Sequence, residues 1–297
     1  MNMRGLLIAG AFAAGLFAAQ AQAEPDWNAV GQALGKAGAM QPGGIYKVAL
    51  PRTDLAVTLD GVSLKAGFAL GSWVAFEPMG NEAMVMGDLV LTHSEVNPVM
   101  SKLEAGGFEV TALHNHLLRS EPATMYMHVE AHGDPVKLAA ALHAGLALSH
   151  TPFAAPPAPA AAPPVAPELD VAAIDSAIGA KGKLNGGILQ YNLPRRETVH
   201  SGGMETPPAM GTAIAINFQP LGGTRAAITG DFVLVAKEVN PVIRALRSHG
   251  IEVTAVHNHM LNEEPRLFFM HFWAAGEARA LAQGLAAALA ETNVQRG

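Results

Sequence analysis

Two histidines one residue apart, His114 and His116, are followed by a third, His128. On an extended strand alternate side chains share a face, so His114 and His116 would point one way and Asn115 the other. A hairpin carrying His128 on the next strand would set it across from, or diagonal to, that pair. Three neutral imidazoles converging from neighbouring strands suit a divalent transition metal, with a position left for water, a carboxylate or a substrate. The chain writes the pattern twice, because His257, His259 and His271 follow 143 positions later. Six of its 12 histidines belong to the two copies. The same offset carries Val110–Leu118 onto Val253–Leu261 and Glu95-Val96-Asn97-Pro98-Val99 onto Glu238-Val239-Asn240-Pro241-Val242.

Other residues around these triads are candidates for supporting roles. Glu95, Glu121, Glu238 and Glu264 recur in both copies and offer a carboxylate as a further ligand or as a general base on a metal-bound water. Asn97, Asn115, Asn240 and Asn258 could orient the imidazoles, since a ligating histidine usually donates its other N–H to a fixed acceptor. His132 would share a face with His128, but Trp273 and Ala275 break that pattern in the second copy. His93, His143, His150, His200 and His249 lack counterparts and read as surface. Arg52 and Arg195 are matched and read as surface or salt-bridging residues, with anion binding as the alternative. Met84, Met86, Met125 and Met127 alternate as core positions do, and copy two keeps none of the first three as methionine. Histidines on a half-buried strand also have a bland use, hydrogen bonding in a polar core or at a seam between copies.

The elements that must position these side chains can be read from turn and cap signals. Gly43-Gly44 opens a strand through Ile45–Arg52, matched by Gly186-Gly187 and Ile188–Arg195. Strands are expected at 55–59, 72–77, 83–91, 108–117 and 124–130, with a hairpin loop at Pro78-Met79-Gly80-Asn81. Asn97-Pro98 and Asn240-Pro241 read as helix starts, Asn capping and Pro at the first helical position. Short helices are expected over 27–38, 136–147 and 277–289. Each unit then holds a β-α-β-β-α core preceded by extra strands. The fold class is α+β: two tandem homologous units, each a mainly antiparallel sheet with helices on one face. The units span 24–150 and 168–297. Between them, 151–167 is dominated by Pro and Ala and reads as an extended spacer, long enough for the units to pack side by side.

Composition sets the compartment. Arg4, an apolar run over Leu6–Ala19 and Ala21-Gln22-Ala23 describe a signal peptide over 1–23, cut after Ala23. The run is too short to span a bilayer as an anchor, and the mature chain offers no other transmembrane candidate. The formal charge of −6 becomes −7 once Arg4 is lost, which argues against nucleic acid as a partner. With no cysteine, the chain excludes thiol chemistry, thiolate ligands and a lipidated N-terminal cysteine. A periplasmic or secreted protein follows, held together by its hydrophobic core. The tripeptide His-Asn-His is no nuclease signature, because the HNH motif spreads those residues over a ββα metal element.

Met86-Gly87-Asp88-Leu89-Val90-Leu91, Glu95-Val96-Asn97-Pro98, the run Glu109–Leu118 and Tyr126-Met127-His128 together resemble the LppY/LpqO family of exported bacterial proteins. The resemblance covers both halves. It implies export and a tandem repeat, and it implies no catalytic residues, the family being one of unknown function. The chain departs from its lipoprotein members in having no cysteine to lipidate.

Three functions fit these residues. One is binding of a transition metal, zinc or copper, or of a small ligand, at a His-lined site in each unit. Another is metal-dependent hydrolysis with a glutamate as base. The third is a structural or interaction module with the histidines at the seam between the packed repeats.

Overall fold

The structure is a computed structural model that describes residues 24–154 and 169–296. The expected signal peptide and most of the expected spacer lie outside these residues.

The first repeat runs α1 (Trp27–Leu34), β1 (Ala39–Gln41), β2 (Ile45–Pro51), β3 (Thr58–Leu59), β4 (Val62–Ser63) and α2 (Ala66–Ala69). It continues through β5 (Gly71–Met79), β6 (Glu82–Thr92), α3 (His93–Ala105), β7 (Glu109–His114), β8 (Thr124–Gly133) and α4 (Pro135–Leu146). The second repeat has α5 (Val171–Ile178), β9 (Lys183–Asn185), β10 (Ile188–Pro194), β11 (His200–Ser201) and β12 (Met204–Glu205), then a 3-10 turn at Pro208–Met210. After it come β13 (Ala213–Gly222), β14 (Arg225–Val235), α6 (Ala236–Ser248), β15 (Glu252–His257), β16 (Leu267–Glu277) and α7 (Ala278–Ala290). Each repeat forms a six-stranded antiparallel sheet, ordered β1-β2-β5-β6-β8-β7 in the first and β9-β10-β13-β14-β16-β15 in the second.

Alternation along the strands decides the layers. Val85, Leu89 and Leu91 of β6 and Met127, Val129 and Ala131 of β8 bury against α1, α3 and α4. Their neighbours Met84, Met86 and Val90 face the other way, into clusters shared with the second repeat. The two sheets thus turn their helix-free faces toward each other, giving a helix–sheet–sheet–helix stack. Each repeat also lays its β2–β5 or β10–β13 connection on its neighbour. Helix α2 lies on β13 and β14, while the 3-10 turn lies on β2 and β5. Phe68 of α2 is 2% exposed and meets Trp273 edge-on. Burying one such ring contributes about 1.5–3 kcal/mol to holding the repeats together. Polar bonds fix the register of this packing: Gln219 Nε2 donates to the Ser63 carbonyl at 2.8 Å, and Lys47 Nζ to the Ala209 carbonyl at 2.8 Å.

Several elements begin or end where the sequence signals did not place them. Helix α3 starts at His93 rather than beyond Asn97, because the Glu95 carboxylate reaches back to the Thr92 amide at 2.8 Å and satisfies an orphan donor there. Pro98 then falls inside the helix, and α6 repeats this with Glu238 on the Val235 amide at 2.9 Å. Strand β7 stops at His114, short of Leu117. The Asx-Pro signal at Asp134-Pro135 does open α4, the Asp134 carboxylate accepting from the Val136 and Lys137 amides.

Candidate functional site

The histidine strands carry a defect that decides where the imidazoles point. Val110 pairs with Val129 and Ala112 with His128, leaving Thr111 as an extra residue, a β-bulge. Strict alternation would set His114 on the face of Val110, which packs against the helix-side core. The bulge resets the phase, so His114 lies opposite Tyr126 and diagonal to His128 on the helix-free face. Thr254 does the same for His257 between Val253 and Ala255.

Both bulges reach across the seam. Thr111 Oγ1 donates to the His259 carbonyl at 2.5 Å and Thr254 Oγ1 to the His116 carbonyl at 2.6 Å. Asn258 Nδ2 donates to the Thr111 carbonyl at 2.9 Å, and Asn115 Nδ2 to the Thr254 carbonyl at 3.4 Å. His116 and His259, just beyond their strands, are therefore positioned by the opposite repeat. The side chains of Asn115 and Asn258 lace the seam rather than orienting imidazole nitrogens, and it is the Asn258 backbone carbonyl that meets one, His257 Nδ1.

The six histidines meet at one place between the repeats, not at two separate places. Ring centroids lie 3.5 Å apart for His114 and His257, 3.5 Å for His116 and His271, and 3.8 Å for His128 and His259. Each contact joins one repeat to the other about a pseudo-twofold axis passing between His114 and His257. Tyr126 stacks on His116 and Phe269 on His259, each at 3.4 Å. His128, His259 and His271 are buried, whereas His114, His116 and His257 are partly exposed and form the rim.

Two carboxylates complete the cluster. Asp88 of β6 pairs in register with His128, and Asp231 of β14 with His271. Asp231 Oδ2 stands 3.3 Å from His259 Nε2, and Asp88 Oδ1 3.8 Å from His128 Nε2. Neither residue stood among the sequence candidates. The signal was present: Gly87-Asp88 recurs 143 positions on as Gly230-Asp231, on the strand flanking the third histidine. Gly230 admits no side chain, since a Cβ would run into the Ala215 carbonyl oxygen. Its own carbonyl faces His271 Nδ1 at 2.7 Å.

These contacts fix protonation. An Nδ1–H donated to a carbonyl leaves Nε2 as a bare lone pair, the state of His271 on Gly230 and of His257 on the Asn258 carbonyl at 3.1 Å. Burial, with His257 adjacent, drives His114 down to about 3, and burial takes His257 to about 4. His116, His128, His259 and His271 fall well below the ordinary histidine range by desolvation and then by neighbouring imidazoles. Burial pushes the Asp88 carboxyl up to about 7 against the pull of Lys47, and burial, with Asp88 adjacent, raises Asp231 well above the usual carboxylate range. All six imidazoles are neutral at pH 7.

Seven buried atoms of the cluster have no hydrogen-bond partner: Asp88 Oδ1, His114 Nδ1, His128 Nε2, Asp231 Oδ1, His257 Nε2, His259 Nε2 and His271 Nε2. Donor atoms mutually within 4.8 Å form sets with metal-ligand chemistry: His114, His128, His257 and His259; His114, His116, His257 and His271; Asp231, His257, His259 and His271; and Asp88, His116 and His128.

The remaining candidates lie elsewhere. Glu95 and Glu238 are bound to Arg52 and Arg195, with shortest contacts of 2.8 and 2.7 Å. These arginines are buried, not on the surface, and serve as ion-pair partners. Glu121 and Glu264 are exposed and pair through their backbones with Thr58 and His200. Asn97 and Asn240 are exposed within α3 and α6. His132 contacts Glu130 at 3.2 Å on the wall of a neighbouring cleft that also includes Thr111 and Ser201. Met84, Met86 and Met127 are core residues.

Fold and site define a class: a tandem α+β protein whose two sheets enclose one shared His–Asp cluster. The family described as Domain of Unknown Function (DUF1259) matches residues 28–148 and again 172–291, and the chain belongs to that family. No curated protein matches it. Among solved structures, the trimeric bacterial microcompartment shell protein PduB is 13% identical, with 86% of this chain and 89% of that one covered, at a TM-score of 0.22. EtuB from Clostridium kluyveri is 9% identical, with 85% and 88% covered, at a TM-score of 0.20.

Proposed function

We propose that this chain binds a divalent transition metal, zinc or copper, at a single centre shared by its two repeats. The observation that carries the reading is the group of seven unpartnered buried donors. Each buried polar atom without a partner costs about 1–3 kcal/mol, so the cluster's deficit is on the order of 10 kcal/mol. That is comparable to the net stability of a whole domain. A metal ion satisfies such donors together, and neutral imidazole with Asp carboxylate is a set that zinc and copper accept.

The binding reading stands ahead of hydrolysis, since all four glutamates put forward as general bases are placed outside the cluster. It also stands ahead of a purely structural seam. The apolar contacts and the Thr–Asn lacing already join the repeats, while the imidazole nitrogens contribute unmet demand. The N-terminal signal and the absence of cysteine place this metal binder, in our reading, in the periplasm or outside the cell, as the resemblance to LppY/LpqO proteins also implies.

The test is metal content after supplying zinc and copper to purified mature protein, beside His128→Ala and His257→Ala. Wild type should retain metal through desalting and each variant should retain clearly less. Equal, negligible metal in all three would overturn the reading.

A further inference from the structure

Resting on that reading, we propose that the centre is dinuclear, one ion belonging to each repeat, and that the two ions are chemically unequal. Ligand bonds of zinc run about 2.0–2.2 Å, so two donors on one ion stand at most about 4.4 Å apart by that geometry. The eight side chains do not form one such group. Asp88 falls in a set with His116 and His128, whereas Asp231 falls in a set with His257, His259 and His271. These two sets share no residue, each comes from a single repeat, and each ends in its own carboxylate with an unpartnered oxygen. A lone ion on the axis would use the shared histidines and leave both carboxylates buried and unmet. Two ions use both.

Charge points the same way. Among the described residues the cation that faces Asp88 is Lys47, and its ammonium is committed to the Ala209 carbonyl at 2.8 Å and the Trp73 ring at 3.8 Å, so Asp88 and Asp231 are left to hold either a proton or a metal ion. One divalent ion per carboxylate leaves each half with a residual positive charge, to be met by a water-derived hydroxide or a small anion.

The inequality follows from the ligand count. The second repeat supplies four donors, enough for a closed tetrahedral ion. The first supplies three, because His114 falls in no set with Asp88; its Nε2 meets His116 Nε2 at 3.1 Å and its ring stacks on His257. Three protein ligands with a vacant position describe an ion that can exchange a small anionic or oxygen-donor ligand. His114, on the partly exposed rim, borders that position.

Native mass spectrometry of the full mature chain loaded with zinc tests this. It resolves folded from unfolded chains by charge state, so a variant that folds poorly still reports on its folded fraction. Wild type should carry two ions per folded chain, Asp88→Asn and Asp231→Asn one each. One ion in wild type, or two in either variant, overturns the dinuclear inference while leaving metal binding intact; none in wild type overturns both. In the cobalt(II)-loaded protein, azide should shift the visible spectrum of wild type and of Asp231→Asn but not of Asp88→Asn. A shift confined to Asp88→Asn and wild type would overturn the assignment of the open position to the first repeat.

Discussion

The fold buries two kinds of polar constellation, each written twice, and their hydrogen-bond accounts differ. Arg52, with no exposed surface, directs Nε and Nη2 to Asp54, and its two terminal nitrogens also meet Glu95 and the Val90 carbonyl. Glu95 in turn accepts from the Thr92 and His150 amides. Arg195 and Glu238 repeat the arrangement, with Glu197 in place of Asp54 and Nε left without a partner. These groups tie the end of β2 to the start of α3 and, through the His150 amide, to the chain beyond α4. The His–Asp cluster is equally duplicated and largely buried, yet its lone pairs converge on one another. Duplication alone therefore does not distinguish the two constellations; the number of polar atoms left unmet does.

The largest effect should come from the satisfied constellation. Removing one partner of a buried ion pair costs about 3–5 kcal/mol, so Arg52→Met should lower the urea unfolding free energy by that order. Metal content per folded chain should stay unchanged. Loss of metal from folded Arg52→Met would show that the two regions are coupled.

The same pair sets an acid limit. Burial works to raise the Glu95 carboxyl, but bonds from Arg52 and the two amides overcome it and hold it at about 2. A carboxyl lowered on folding stabilises fully above its unfolded pKa, near 4.5. That contribution is lost as pH falls from there toward 2. The urea unfolding free energy of wild type should drop across this window by a few kcal/mol, and Arg52→Met should flatten the drop.

Metal should act on the other constellation alone. A ligand that binds only the folded chain at about 100 times its Kd stabilises by about 2.7 kcal/mol. Zinc at that excess should raise the unfolding free energy of wild type and of Arg52→Met alike, and a chelator should reverse it. Without metal, His128→Leu should match or exceed wild type by about 1–2 kcal/mol, since it removes an unmet polar atom. A fall of several kcal/mol in chelator would mean that this imidazole is structural after all.

Much of this was legible in the residues, for reasons that differ by element. The repeat and the α+β class follow from the fixed offset and from turn chemistry such as Asp134-Pro135, which acts locally. Helix α3 begins before the Asn97-Pro98 start signal because Thr92 and Glu95 supply a stronger one a turn earlier. The grouping of His114 with His128 depended on Thr111 being a bulge, which no local pattern announces, since Val110-Thr111-Ala112 reads as plain strand. Asp88 was hidden in a run of apolar strand residues, where a carboxylate gains meaning only from what faces it. The merging of two expected sites into one is a property of the packed sheets, and nothing in either copy alone encodes it.

The smallest effect tests how far the bulges, rather than the histidines themselves, set the cluster's geometry. Thr111→Val keeps the β-branched shape and removes only the hydroxyl that donates to the His259 carbonyl. A single hydrogen bond contributes about 0.5–1.5 kcal/mol, so the loss of stability should be of that order. Asn258 still reaches the Thr111 carbonyl and should keep the bulge itself in place. His259 would then be less firmly held, and zinc affinity in a chelator competition should weaken several-fold, whereas Thr254→Val should act likewise through His116. If either valine variant binds zinc as wild type does while losing the expected stability, the lacing serves the packing of the repeats alone. In that case strand register, not the cross-seam bonds, aims the imidazoles.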